Sequence, residues 1–192
     1  MPTAEFYIWR SHYEEGKFVG TAPKPVTKGF ELKRGISRAK GWGKVAVHMN
    51  EEYPKDIELT DNVFGASMVV VSGKLKKALE AETGDKVEYL PVEIVNHKGK
   101  PAAKDYFVVN PLGTVDCVDV KASRIEWNEF KKDMMDTCKQ FVIDADRVPK
   151  SIVLFRPATA PYAIVARASL VKKLGSRFEG LEFQESLEYT GI

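Results

Sequence analysis

VVVSGKLKKALEAETGDKVEYLPVEI, residues 69–94, changes its hydrophobic period twice, and the two changes decide the fold. MVVV (68–71) is a continuous apolar run of buried-strand length. Ser72 then offers a hydroxyl to cap the helix spelled by KLKKALEAE, where Leu75, Ala78, Leu79 and Glu82 fall at i, i+3, i+4 and i+7. Gly84 stops that helix, because a glycine accepts the left-handed turn at a carboxyl-terminal cap. VEYLPVEIV (87–95) resumes a strand pattern, with Pro91 favouring an edge or bulge position.

The same strand–helix–strand unit returns near the carboxyl terminus. YAIVA (162–166) reads as a strand, SLVKKL (169–174) as a helix, Gly175 and Gly180 as its stop and loop, and LEFQESLEY (181–189) as a strand. In IVARASLVKKLGSRFEGLEFQESLEY (164–189), Leu170 and Leu174 match Leu75 and Leu79, and Lys172 stands opposite Lys77. Leu181-Glu182-Phe183 matches Val87-Glu88-Tyr89 after one residue of slippage. A spacing of about 95 residues is too long for a solenoid. It implies two half-domains or two similar edges of one sheet system.

Outward from these units the signals are weaker. EFYIWR (5–10) is strand-like, rich in aromatic and β-branched side chains. Residues 11–58 are punctuated by glycine and proline, which leaves room for short strands such as 44–48. Phe18, Phe30, Trp42 and Val45 require a core to pack on, so this segment is read as ordered against the rest rather than as a separate domain. His97-Lys98-Gly99-Lys100 is a turn, and DYFVVN (105–110) and TVDCVDV (114–120) are expected to pair as antiparallel strands through Pro111-Leu112-Gly113. SRIEWNEFKKDMMD (123–136) predicts a helix, with Ser123 and Glu126 as a capping box. FVID (141–144) and SIVLFR (151–156) return to strand. The expectation is an α+β fold over 1–192, mainly antiparallel, with a few short helices, an irregular segment over 1–60 and a core over 65–185.

Composition narrows function more by exclusion. The start, MPTAEFYIWR, has no basic region followed by an apolar run, and no stretch approaches the roughly 18 apolar residues of a membrane span. The expected address is the cytoplasm. Cys117 and Cys138 sit in apolar or amphipathic runs and read as small core hydrophobes. A net charge of +2 hides nine Lys/Arg against four Asp/Glu in residues 1–50. That basic segment raises a nucleic-acid adaptor as an alternative, although the charges are thinly spread.

Catalytic signals are lacking. His12, His48 and His97 have no partner at metal-ligand spacing, and there is no nucleophile elbow or complete phosphate loop. No catalytic, cofactor or metal site is therefore expected; an uncharacterised enzyme using His12, His48 and Arg34 is a further alternative. Acids are grouped instead. Glu126, Glu129, Asp133 and Asp136 space themselves like one helix flank, and Glu182, Glu185 and Glu188 recur every third residue. Trp127 lies beside the first group. Such patches suit electrostatic steering of a basic partner.

The order MVVVSGKLKKAL, VEYLPVEI, DYFVVNPLGTVDCVD, FVIDADRVP, IVLFR, AIVARASLVKKL and GLEF resembles a bacterial immunity-protein family, once a family of unknown function, whose genes sit beside those of polymorphic toxins. The resemblance covers roughly residues 65–185 and rests on order, spacing and points such as Tyr106, Asn110, Asp116, Asp119, Ser123 and Phe155-Arg156. It implies a protein that binds and neutralises a cognate toxin of its own strain in the cytoplasm, without a cofactor. Glu126, Trp127, Glu129, Asp133, Asp136, Glu182 and Glu185 are the candidate contacts.

Overall fold

The computed structural model describes residues 4–26 and 28–191. In chain order its elements are β1 (Phe6–Ser11), α1 (Gly29–Leu32), β2 (Ala46–His48), β3 (Val70–Ser72), α2 (Gly73–Thr83), β4 (Val87–Val95) and β5 (Pro101–Pro111). Then follow α3 (Val120–Ser123), β6 (Ile125–Trp127), β7 (Met135–Cys138), β8 (Leu154–Phe155), β9 (Val165–Arg167), α4 (Ala168–Leu174) and β10 (Leu181–Glu185). The fold is α+β and mostly antiparallel. Two four-stranded sheets have orders β2-β4-β5-β3 and β10-β1-β9-β8, and β6 and β7 form a separate hairpin.

The first unit forms as its sequence dictates. Ser72 caps α2, accepting from the Leu75 N–H at 3.2 Å, and the Gly84 N–H closes the last turn onto the Glu80 carbonyl. β3 and β4 run in the same direction, with β5 inserted antiparallel between them. The second unit repeats this arrangement: β9 and β10 run together, α4 connects them, and β1 is the strand between.

The register is shared as well. Ser72 pairs with Tyr106 and Val87 with Pro111 in the first sheet; Arg167 pairs with Phe6 and Leu181 with Ser11 in the second. FYIWRS (6–11) is thus the counterpart of YFVVNP (106–111), a correspondence of 100 residues. The repeat therefore has three strands and a helix, one strand more than the sequence comparison contained.

Period-two alternation sends each central strand's side chains into two different cores. Tyr106 and Val108 face a cluster roofed by the amino-terminal segment, where Phe18, Leu32, Val45, Val47 and Met49 are buried. Their counterparts Phe6 and Ile8 face a cluster roofed by residues 115–162, including Cys117, Met135, Cys138 and Phe141. Val109 and Trp9 point the other way, into a third cluster with Leu75 and Leu79 of α2 and Leu170 and Leu174 of α4. Both units contribute to this core. Lys173 of α4 also pairs with Glu82 of α2 at 2.6 Å.

Several expectations require correction. TVDCVDV is not a strand hydrogen-bonded to β5: both sides of β5 are already occupied, by β3 and β4. The chain leaves at Gly113, whose N–H donates to the Gly35 carbonyl, and its backbone pairs, among the described residues, only in the isolated bridges Val115–Pro157 and Val118–Ile143. Residues 123–136 are not a helix. Asp119 caps the single turn α3, Arg124 takes a left-handed conformation, and the chain then folds into the β6–β7 hairpin.

A helix there would have aligned Trp127, Phe130 and Met134. The core instead takes Met135 and Cys138, with Ile125 packed against them. Ser123 and Glu126 form no capping box: Ser123 Oγ accepts from the Val142 N–H, and Glu126 accepts from Thr137 Oγ1. FVID contributes a single bridge, SIVLFR only the two-residue β8, and the last strand ends at Glu185 in a 3-10 turn over Ser186–Glu188. Pro91 sits where β4 has no neighbour beyond it, since β2 reaches only Glu93–Val95; its carbonyl accepts from Trp42 Nε1 at 2.8 Å.

Candidate partner-binding surface

The β6–β7 hairpin carries five of the seven candidate contact residues. Its base is fixed from three directions. The Met135 N–H donates to the Thr159 carbonyl (2.7 Å), Tyr162 donates to the Met135 carbonyl (3.1 Å), and the Cys138 N–H donates to the Thr190 carbonyl (2.9 Å). The tip is shaped by Asn128, whose side-chain oxygen accepts from the Phe130 and Lys131 N–H groups at 3.0 and 2.9 Å. Its own N–H closes the loop onto the Met134 carbonyl. An Asx turn of this kind is what a short polar side chain offers a tight loop.

The loop presents Phe130 almost fully to solvent, at 92% exposure, with Trp127 at 41% on the adjoining strand. Glu126, Glu129, Asp133 and Asp136 are exposed or half-exposed around them. They do not form the uniform acidic flank that a helix would have made. Glu126 accepts a hydrogen bond from Thr137 (2.8 Å), and Asp136 accepts one from Asn128 (3.4 Å). Arg124, Lys131, Lys132 and Lys139 are interspersed with the four acids. The hairpin is a charge-mixed surface around two aromatic rings.

Glu182 and Glu185 lie elsewhere, on the outer strand β10. Three residues apart on a strand, they point to opposite faces, whereas on a helix they would have shared one. Glu182 is paired across the sheet with Arg10 and lies 3.8 Å from His12 Nδ1. Phe130 is the residue the sequence reading missed. The signal was available as a lone aromatic in a polar run, EFKKD, directly after a turn-forming asparagine.

The residues of the alternative enzyme are not gathered. His48 lines a cavity of ≈ 590 Å³ with Lys24, Lys44, Glu93 and Lys104, and neither His12 nor Arg34 reaches it. Among the described residues no group of three or more His, Cys, Asp and Glu is placed to hold a metal ion. Both cysteines are buried thiols; burial pushes Cys117 up to about 12 and raises Cys138 as well. Part of the amino-terminal basic charge is neutralised within the fold. Lys17 pairs with Glu58 and Glu179, and Arg38 with Glu31.

A family model described as Immunity protein family (Imm11) matches residues 11–187. The chain belongs to the Imm11 immunity protein family. No curated protein matches it. The Imm11 match begins at residue 11, so most of the irregular amino-terminal segment falls within it, beyond the 65–185 stretch that carries the resemblance in sequence. Both roofs over the duplicated units, residues 12–67 and 115–162, fall inside the Imm11 match. Among the described residues no helix is long and apolar enough to cross a membrane.

Proposed function

We propose that this chain is a cytoplasmic immunity protein that binds and neutralises one cognate toxin, and that the β6–β7 hairpin is its principal contact. The observation that carries the assignment is a fixed hairpin on a member of an immunity family with Phe130 and Trp127 held in solvent. An exposed aromatic pair on a braced support is the form of a preorganised hot spot, because the binding surface requires little ordering on association. Glu126, Glu129, Asp133 and Asp136 would match basic groups of the toxin. Glu182 and Glu185, on the edge strand, would form a second contact. Neutralisation on this reading needs no catalytic step.

The test starts from the neighbouring gene: a multidomain protein with a variable carboxyl-terminal domain supplies the candidate toxin. Co-expression with that domain should rescue growth. Failure to rescue, with both proteins made and soluble, refutes the function. Phe130→Ala should weaken toxin binding by about 30-fold, the effect of a hot spot worth about 2 kcal/mol, while leaving the melting temperature unchanged. Charge reversal at Glu126, Glu129 and Asp133 that leaves both affinity and association rate intact removes the electrostatic part of the proposal.

A further inference from the structure

Where the two units meet lies a cavity of ≈ 390 Å³ whose charges are all of one sign. Three cations line it, namely Arg10 of β1, Lys33 just after α1, and Arg156 just after β8; among its described lining residues there is no Asp or Glu. None of the three makes an ion pair among the described residues.

Arg156 is the anomaly. It is 6% exposed, yet among the described residues its guanidinium makes one hydrogen bond, from Nη1 to the Pro161 carbonyl at 2.8 Å, and its buried Nε has no partner. A guanidinium has five N–H donors, and a buried cation without a counter-charge is expensive to hold. The fold shows how it satisfies an arginine kept for structure. Arg167 donates to the carbonyls of Val148, Pro149 and Ile152 and pairs with Glu5. Arg156 has nothing comparable. Burial pushes it down to about 10, which still leaves it cationic at neutral pH.

The remaining walls mix the polar side chains of Ser11, Asn62 and Ser67 with apolar and aromatic ones, Trp9, Phe64, Tyr162 and Tyr189 among them. The volume falls in the range of small-molecule sites, and a planar guanidinium fork matches the oxygens of a carboxylate or phosphate. We propose that this cavity binds a small organic anion, a phosphate or carboxylate on a flat apolar body, held by Arg156 from within and by Arg10 and Lys33 at the solvent side. The aromatic walls take the apolar body. The depth of Arg156 favours a small ligand over a side chain of a protein partner, which would have to thread into the space between the units. Tyr162 is shared between this site and the base of the hairpin, but the existence of the site does not depend on the toxin assignment.

The experiment titrates the purified full chain with phenyl phosphate, benzoate and inorganic phosphate by calorimetry and by amide chemical shifts. Phenyl phosphate or benzoate should bind at least tenfold more tightly than inorganic phosphate, and the tighter of the two identifies the anionic group. Arg156→Gln should reduce that affinity at least tenfold. If that variant does not fold, the surface variants Arg10→Gln and Lys33→Gln provide the test, each weakening the same ligand several-fold. The proposal is overturned if none of the three probes binds below millimolar concentrations, or if binding survives both surface substitutions unchanged. It is equally overturned if the anions fail but Arg156→Lys or Arg10→Gln abolishes toxin binding, which would make the cavity a receptor for a toxin carboxylate.

Discussion

Leu79→Ala tests whether the two units fold as one. Leu79 is fully buried in α2, and the cluster around it includes Leu170 and Leu174 of α4 and Trp9 of β1, all from the second unit. Truncating a fully buried leucine costs about 2–5 kcal/mol, from the lost transfer free energy and the cavity left behind. With a cost of about 3 kcal/mol, and about 2–4 °C per kcal/mol for a chain of this size, the melting temperature should fall by about 6–12 °C.

The informative measurement is where the loss is felt. Calorimetry should show a single transition whose van't Hoff and calorimetric enthalpies agree. Native-state amide exchange should show protection falling in β1 and β9 as much as in β3 and β5. Two resolved transitions, or weakened protection confined to β3, β4 and β5, would refute the shared core as the organising element. The chain would then be two domains in contact.

Other predictions concern single residues. Glu88 is partly buried, which raises its pKa, but hydrogen bonds from the Arg38 N–H, Ser37 Oγ, Asn110 Nδ2 and the Ala39 N–H outweigh this and leave it below the ordinary value of 4.5. A lowered folded-state pKa stabilises above the unfolded value, and that stability disappears as pH falls through the folded one. The urea midpoints of wild type and Glu88→Gln should therefore differ at pH 7 and converge on acidification below that ordinary value. A Cβ at Gly73 would run into the Asp105 carboxylate, so Gly73→Ala must turn that exposed side chain aside. The gain of about 1 kcal/mol in helix propensity should appear in thermal melts more fully when Asp105→Ser is combined with Gly73→Ala than with Gly73→Ala alone. Cys117 and Cys138 should both resist a thiol reagent at pH 8 until denaturant is added, since burial disfavours each thiolate.

Both strand–helix–strand units were legible because each carries its own punctuation: an apolar run, a helix of period 3.6, and a glycine with positive φ at its end, Gly84 or Gly175. The third strand of each repeat was not. Its members, FYIWRS and YFVVNP, lie 100 residues apart outside the compared segments, and their kinship resides in pairing register more than in residue identity. The failure at 123–136 was of another kind. Those residues are good helix formers in isolation, but Ile125, Met135 and Cys138 are drawn to one core, and burying them outweighs local propensity. The site inherited that error: acids expected on one helical flank are spread over a hairpin. The cavity could not be read at all, because Arg10, Lys33 and Arg156 are brought together only when the two units dock.

The position of β1 between β9 and β10 has a consequence for synthesis. The strand emerges from the ribosome long before the strands it pairs with, Val165–Arg167 and Leu181–Glu185. At bacterial or eukaryotic translation rates the interval is roughly 8–30 s. Throughout it FYIWR, with three aromatic side chains, lacks both of its strand partners. The first unit has no such delay, since β3, α2, β4 and β5 follow one another along the chain. The nascent protein must therefore complete its middle while its beginning is kept from pairing with other chains. During that interval β1 is open to chaperones and to aggregation.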